Sequence, residues 1–267
     1  MINALRPYFM VMRNSMMAGI TYRLHFIFMT IGNVFYVVIS YFLWLAIYGS
    51  QSSMNGMSFS QAYLQIAVSM GIFALLLNWT EWFMAAQVAG GDVVRYLTKP
   101  LDYQFSTLFE SAGGTAINFI GIAAPTIILA FALAGTPLPP FLAMAFCIVA
   151  VFIAFFINFC IDFLVGLIAF MTTSIWGFSA TKEIIVLFCS GALIPLSFFP
   201  PQARQVLEWL PFQAIYTTPV AMLLHPELPL AEIGLLFLKQ LAWMLILFGL
   251  TRLAYRLTMR RMVINGG

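Results

Sequence analysis

Long apolar runs divide the chain into six segments, each of which can cross a bilayer as a helix. A helical crossing needs about 20 mostly apolar residues, and none of these runs alternates apolar and polar positions as a barrel strand would. The pattern predicts an all-α membrane protein with one transmembrane domain over residues 1–267. The predicted spans cover Leu24–Tyr48, Ala62–Trp82, Ala112–Ala134, Phe141–Thr173, a fifth segment that begins near Ile184, and Leu230–Tyr255.

Residues 1–23 precede the first predicted span and are amphipathic. A helix here would place apolar side chains on one face and two arginines at its edge, which favours a helix that lies in the membrane interface. A plain extension of the first span is the alternative. No small-residue cleavage site follows, so we do not expect a removable signal peptide. The shared face carries Leu5, Phe9, Met12 and Met16, with Arg6 and Arg13 at its edge.

The link between the second and third spans, residues 89–111, is the most polar part of the chain. Gly90–Gly91 breaks the preceding helix, Asp92 is a candidate cap for a new one, and Pro100 ends it. The pattern predicts a short helix of about two turns between breaks. Asp102 is predicted to cap the run into the third span. A docking element for a cytoplasmic partner and a plain solvated loop both fit these residues.

Residues 190–224 continue the apolar pattern but interrupt helical hydrogen bonding. Gly191 and Pro195 lie inside the apolar run, and Pro200 follows shortly after. A backbone broken at membrane depth is tolerated only inside protein or beside a cavity. We therefore predict a broken fifth span with a re-entrant hairpin and an outer-face segment. A span that simply ends at Pro195 is the alternative.

Composition excludes a soluble protein. Hydrophobic residues make up 63% of the chain, charged residues only 8%, and the mean hydropathy is +0.98. So few charged groups could not cover the surface of a soluble core containing 27 Phe and 16 Met. Soluble enzymes and nucleic-acid-binding proteins are therefore excluded as classes.

The basic residues predict that both termini are cytoplasmic. With that orientation, ten Lys and Arg lie inside and one lies outside, as the positive-inside rule requires. The last arginines form a stripe that would anchor the sixth span at anionic headgroups or contact a cytoplasmic subunit. The inside group is Arg6, Arg13, Arg23, Arg95, Lys99, Lys182, Arg252, Arg256, Arg260 and Arg261, and the outside residue is Arg204.

Polar groups within spans are the main candidates for chemistry, because they are costly in a bilayer. Asp162 follows Asn158 by one helical turn in the fourth span, so both face the same side. Lys239 lies within the sixth span, and it could pair with Asp162 only if the two helices are neighbours with a favourable shift. Structural pairing and substrate contact both remain open for these residues.

The sequence contains no signature of an enzyme. There is no Gly-Lys-Ser or Gly-Lys-Thr to form a P-loop, no Gly-x-Ser-x-Gly elbow and no zinc-ligand pattern. The cysteines lie in apolar stretches and His25 and His225 stand alone, so neither a disulfide framework nor a metal site is predicted. We expect a chain that is not an enzyme and binds no cofactor or metal. The cysteines are Cys147, Cys160 and Cys189.

Two stretches resemble the membrane subunits of type-2 ABC exporters. The first, Leu97-Thr98-Lys99-Pro100-Leu101-Asp102, is similar to the LL-(K/R)-P stretch of that family's first cytoplasmic loop. The second, SGALIPLSFFP at residues 190–200 with Leu210-Pro211-Phe212 and Pro219 downstream, is similar to a pattern of a bacterial branch whose permeases are often encoded in pairs beside one ATPase. The predicted layout of spans also resembles the family, so the resemblance covers essentially the whole chain.

The resemblance implies a permease subunit of a bacterial inner-membrane exporter. Two such chains, identical or paralogous, would pack together in the lipid bilayer, with spans one, two and five near their interface. Separate ATPase subunits would bind ATP and Mg²⁺, and a small or amphipathic substrate would pass between the membrane halves. The implied ATPase-coupling residues are Asp92, Arg95, Tyr96, Lys99, Pro100 and Asp102. Candidates for the substrate path are Phe35, Tyr36, Phe42, Asn158 and Asp162.

Two other functions fit the residues without the resemblance. A proton-coupled secondary transporter would use Asp162, but it predicts broken helices at corresponding positions of two related halves. The sequence pattern shows one irregular segment, after the fifth span, and no counterpart in the first half. A membrane assembly protein without transport activity would use the polar link as a docking surface and would leave the broken fifth span without a purpose.

Overall fold

The computed structural model describes residues 2–21, 23–98, 100–172 and 174–261, and this part of the chain is helical apart from its loops and one small hairpin. It confirms the prediction of an all-α membrane protein. The helices are α1 (Ile2–Thr21), α2 (Arg23–Tyr48), α3 (Phe59–Leu76), α4 (Thr80–Ala89), α5 (Val93–Leu97), α6 (Tyr103–Asn118), α7 (Ala124–Ala134), α8 (Phe141–Ile168), α9 (Trp176–Cys189), α10 (Pro201–Leu207), α11 (Thr217–Leu224) and α12 (Leu230–Arg261). The hairpin strands are β1 (Ser53–Met54) and β2 (Met57–Ser58).

Helix α3 is the centre of the bundle. Fourteen of its 18 residues are buried, and α2, α7, α8 and α11 pack around it. Ser58 caps its first turn by accepting from the Gln61 N–H, while the Gln61 side chain accepts from the Ser58 N–H. Most other long helices keep one face exposed, as expected of helices that contact lipid.

Five helical stretches of the described chain are long and apolar enough to cross a membrane, whereas the sequence pattern predicted six. The missing one is the fifth, α9, which has 14 residues and a length of about 21 Å, short of a hydrocarbon core of about 30 Å. The long stretches are Phe26–Tyr48, Phe59–Ala89, Tyr103–Ala134, Phe141–Ile168 and Leu230–Arg260.

Helix α9 begins at Trp176, eight residues before the predicted start near Ile184. The prediction counted Lys182 among the cytoplasmic charges, outside the fifth span. In the structure the side chains of Ser179 and Lys182 have polar partners inside the bundle, so the helix can carry them inward.

The second span is broken, although the sequence pattern predicted a continuous helix over Ala62–Trp82. The break is at residues 77–79, where Trp79 adopts a left-handed backbone with φ of +54°. Carbonyl groups freed by the break accept from amide side chains: Asn118 Nδ2 lies 3.2 Å from the Leu77 oxygen and Asn158 Nδ2 lies 3.5 Å from the Leu76 oxygen. These bonds replace the missing helical ones.

The third and fourth spans also differ from their predicted limits. The third begins at Tyr103 rather than Ala112, with Asp102 as its cap, and contains a π-helical turn at Phe119–Ala123. The fourth ends at Ile168, five residues before the predicted Thr173. At the π-helical turn, Thr30 Oγ1 donates to the Gly121 oxygen over 2.7 Å, which satisfies one irregular carbonyl and ties the turn to α2.

Residues 190–224 form a folded segment that enters the bundle. Gly191, directly after α9, has φ of +79°, and Pro195 and Pro200 precede the short helical turns that follow. The chain then reaches Tyr216, which is buried, and α11 continues between α3 and α8. A side chain at Gly191 would also meet Thr217 Oγ1 at 2.8 Å, so both conformation and space require glycine there.

The N-terminal helix α1 lies along α6. Ser15 Oγ donates to the Glu110 main-chain oxygen over 2.8 Å, and the Tyr8 ring lies 5.6 Å from that of Phe109. Leu5 and Phe9, on the predicted apolar face, remain exposed. The close approach depends on Gly113, where an added Cβ would lie 2.5 Å from the Met12 main-chain oxygen.

We therefore predict that Gly113→Ala displaces α1 and lowers the free energy of unfolding by about 1–3 kcal/mol through overpacking. Gly234→Ala is the control, because a Cβ at Gly234 meets open space while the gain in helix propensity is the same. Thermal unfolding of both variants in detergent checks this. Equal melting temperatures for the two would contradict the packing argument.

Candidate functional site

A charge cluster joins three helices inside the bundle. Lys182 Nζ lies 2.8 Å from Glu81 Oε1 and 2.7 Å from Asp162 Oδ1. Ser179 Oγ donates to the same Glu81 oxygen over 2.8 Å, and Asn158 Nδ2 donates to Asp162 Oδ2 over 2.8 Å. We call these five residues the charge cluster. The last bond confirms that Asn158 and Asp162 share a face of the fourth span.

The three charged residues meet because they lie at similar depth. Lys182 is six residues from the start of α9, and Asp162 is six residues from the end of α8, so each lies about 9 Å from the α5 end of the bundle. Glu81 is eight residues from the end of α4, or about 12 Å. Lys182 therefore links the short α9 to the second and fourth spans.

Because the two carboxylates are buried, they depend on Lys182 as their partner. Glu81 is 3% exposed and Asp162 is 4% exposed, so neither carboxylate can be hydrated from bulk water. Charges at such sites are tolerated only with partners, and removing one partner leaves an uncompensated charge. The cluster also borders the break in the second span, where a pocket of about 20 Å³, room for one water, is lined by Asn78, Trp79 and Tyr216.

Lys239 does not pair with Asp162, although α12 packs against α8. Lys239 lies near the opposite end of the bundle, with Nζ 5.2 Å from the centre of the Trp209 ring, as in a cation–π contact. Lys182 was not predicted as the partner, because the charge pattern placed this residue among the cytoplasmic charges. Glu81 lies within the predicted second span. The high cost of an ionisable group in a bilayer therefore marked Glu81 as a candidate as much as Asp162.

The predicted coupling helix is present as α5, with one and a half turns rather than two. Asp92 precedes it, but its side chain makes no capping hydrogen bond, so the predicted cap is wrong. Asp92 has αR backbone geometry there, unlike the extended residues that usually cap. Pro100 follows in a bend and is exposed. Lys99 and the side chain of Arg95 lie outside the described part of the chain.

Aromatic rings connect α5 to the spans. The Tyr96 ring lies 5.8 Å from that of Tyr103, which stacks on Tyr255 of α12 at 6.2 Å. The Tyr103 hydroxyl donates to Gln87 Oε1 of α4 over 2.8 Å. Burial raises the pKa of Tyr96, and the Glu110 and Asp92 carboxylates raise it further, so its hydroxyl stays neutral. Movement of α5 would reach α4 and α12 through these rings.

Asp102 lies where the segment that contains α5 joins the bundle. Its carboxylate accepts from the Phe105 N–H over 3.1 Å, which confirms the predicted cap of the third span. Its other oxygen lies 2.5 Å from Arg252 Nη2, and its N–H donates to the Tyr8 hydroxyl over 2.9 Å. Asp102 therefore ties together α6, α12 and α1.

The predicted substrate-path residues fall into two separate groups. Phe35 and Phe42 are each 62% exposed on the outer face of α2, with Tyr36 beside them. Asn158 and Asp162 instead belong to the charge cluster in the interior. The aromatic face of α2 is open to lipid or to another chain, whereas the cluster is a feature of the fold within one chain.

The fold and this site define a multi-pass membrane protein with a polar link between its second and third spans and an internal charge cluster. The sequence model described as ABC-2 family transporter protein matches residues 34–266, which is most of the chain. The chain therefore belongs to the ABC-2 transporter family and is a membrane-spanning permease of an ABC transporter, as the resemblance predicted. No curated protein gives a significant match.

We predict that Lys182→Met destabilises the protein by about 3–5 kcal/mol, because it leaves two buried carboxylates without their cation. Lys239→Met, at a half-buried position over a tryptophan ring, is the matched control and should cost far less, because it leaves no buried carboxylate without its cation. Combining Lys182→Met with Glu81→Gln and Asp162→Asn removes the uncompensated charges and should restore much of the stability. Melting temperature and the yield of monodisperse protein are the measurements. A triple variant no more stable than Lys182→Met would overturn the argument.

Proposed function

We propose that this chain is the permease subunit of an ATP-driven exporter that moves a small or amphipathic substrate out of the cytoplasm. Separate ATPase subunits would bind ATP and Mg²⁺, since the chain has no P-loop of its own. The family match over residues 34–266 carries this proposal. The segment that contains α5 also supports this proposal, because its exposed side offers a surface for those subunits.

Helix α5 is suited to transmit motion from an ATPase. Asp92, Val94 and Thr98 are exposed on it, while Val93 and Tyr96 face the bundle. A partner that pushes on the exposed side would move the Tyr96–Tyr103–Tyr255 stack and, through the neighbouring Asp102–Arg252 ion pair, the last span. The coupling roles of Arg95, Lys99 and Pro100 remain part of this proposal.

A second permease chain, identical or paralogous, would pack against the exposed face of α2. Phe35, Ile39 and Phe42 make this face a continuous apolar strip at helical spacing. Substrate would pass between the two chains, beside Phe35, Tyr36 and Phe42. The surplus of basic residues at the α5 end supports cytoplasmic termini in a bacterial inner membrane.

The structure corrects one argument against a secondary transporter. The break at residues 77–79 supplies a broken helix in the first half of the chain, where the sequence pattern indicated none. Asp162, however, is held by Lys182 and Asn158, and a carboxylate in a buried ion pair is poorly suited to carry protons. The family match also favours ATP-driven transport over this function and over a role in assembly alone.

The first test is purification of the chain in mild detergent at its natural expression level, followed by mass spectrometry. We expect a P-loop ATPase to be recovered in stoichiometric amount, with or without a second permease chain. Val94→Asp, on the exposed side of α5, should sharply reduce ATPase recovery. Val206→Asp, an exposed valine on α10 at the opposite end, is the matched control and should not. Recovery of the chain without any ATPase in several detergents would overturn the proposal.

The second test addresses coupling through Asp102. Asp102→Asn retains a capping oxygen for α6 but removes the charge that pairs with Arg252. We expect ATP hydrolysis by the assembled complex to persist while transport per ATP falls several-fold. Glu208→Gln, which removes the Arg204–Glu208 pair at the opposite end, should leave this ratio unchanged. Equal coupling ratios in the two variants would show that the Asp102–Arg252 pair plays no part in transmission.

A further inference from the structure

A second, larger cleft lies between α1, α4 and α6, on the other side of the break in the second span. Its volume is about 510 Å³, within the range of about 300–1,000 Å³ that is usual for sites of small ligands. Trp79 and Phe83 line its mouth and are partly exposed, so the cleft opens at the surface of the chain. Its apolar wall also includes Phe26 and Ile117.

The cleft contains one charged side chain, Glu110. Among the described lining residues there is no Lys, Arg or His, and no described side chain pairs with the Glu110 carboxylate. The bond from Ser15 goes to the Glu110 main-chain oxygen and leaves the carboxylate free. The other polar groups of the wall are hydroxyls and amides, which carry no charge. They include Thr107, Ser111, Asn78 and Asn118.

Glu110 differs in this respect from Glu81 and Asp162. Glu81 and Asp162 share Lys182, whereas Glu110 faces an open cleft with apolar walls. A carboxylate in such surroundings is much more stable with a cation beside it. The exposed Trp79 and Phe83 rings add faces that attract organic cations. The cleft is therefore complementary to a ligand that carries a positive group on an apolar chain or ring.

We propose that this cleft binds a cationic amphiphile, with its ammonium group at Glu110 and its apolar part against Phe26, Trp79 and Phe83. The charge of the described wall argues against the alternatives. An anionic amphiphile would meet an uncompensated carboxylate, and a zwitterionic lipid would find no described cation for its phosphate. The site is formed within one chain, so the inference depends neither on a second permease nor on ATP.

The test is equilibrium binding of radiolabelled dodecyltrimethylammonium to the full-length chain in phosphatidylcholine nanodiscs, with protein-free nanodiscs subtracted. We expect saturable binding that Glu110→Gln weakens at least about tenfold, because the charged contact is lost. Glu232→Gln, an exposed carboxylate at the start of α12, is the control for net charge and should bind like the unmodified chain. Dodecylphosphocholine, with the same chain and a zwitterionic head, should compete poorly.

A steric variant tests the cleft independently of the charge. Ala18→Trp places a large ring in the cleft from the exposed side of α1, and Ala231→Trp makes the same change at an exposed position outside it. Only the first should abolish binding. Equal affinity in Glu110→Gln and the unmodified chain, or unchanged binding in Ala18→Trp, would overturn the proposal. Because no ATPase is present, these outcomes are separate from the test of ATP-driven transport.

Discussion

The fold depends most on the burial of Lys182 between Glu81 and Asp162. Two carboxylates and one ammonium group cannot be left apart in an interior of low dielectric constant, so the helices that carry them must meet at one depth. This requirement fixes α9, which is too short to cross the membrane alone, against the second and fourth spans. A short helix with only two buried residues, Ser179 and Val186, would otherwise have little to determine its position.

The irregular backbone segments surround this cluster, and each has its own polar partners. Asn118 and Asn158 bond the carbonyls freed in the second span, and Thr30 bonds the π-helical turn of the third. Asn158 serves both the break and Asp162, so the break and the charge cluster stabilise each other. Backbone irregularity is tolerated here because side chains of the protein donate hydrogen bonds to the irregular carbonyls.

The polar regions have separate roles in the molecule. Asp102 lies at the surface end of the bundle, next to the segment that contains α5, and joins α1, α6 and α12. The charge cluster lies deeper and joins the second, fourth and fifth spans. The Glu110 cleft lies between α1, α4 and α6. Tyr103 connects two of these regions, because its ring lies 6.3 Å from that of Phe163, next to Asp162, and 6.2 Å from that of Tyr255 on α12.

The sequence by itself determined the membrane class, the approximate positions of five long helices, the cap at Asp102 and the family resemblance, because apolar run length and local turn chemistry are properties of neighbouring residues. Only the tertiary structure decided that Lys182 rather than Lys239 pairs with Asp162, that Glu81 joins them, and that the second span breaks at Trp79. Each of these depends on which helices lie side by side and at what depth. A polar residue near the end of a span can lie inside the bundle only if a polar partner lies there too. That partner is distant in sequence, so the sequence pattern does not identify it.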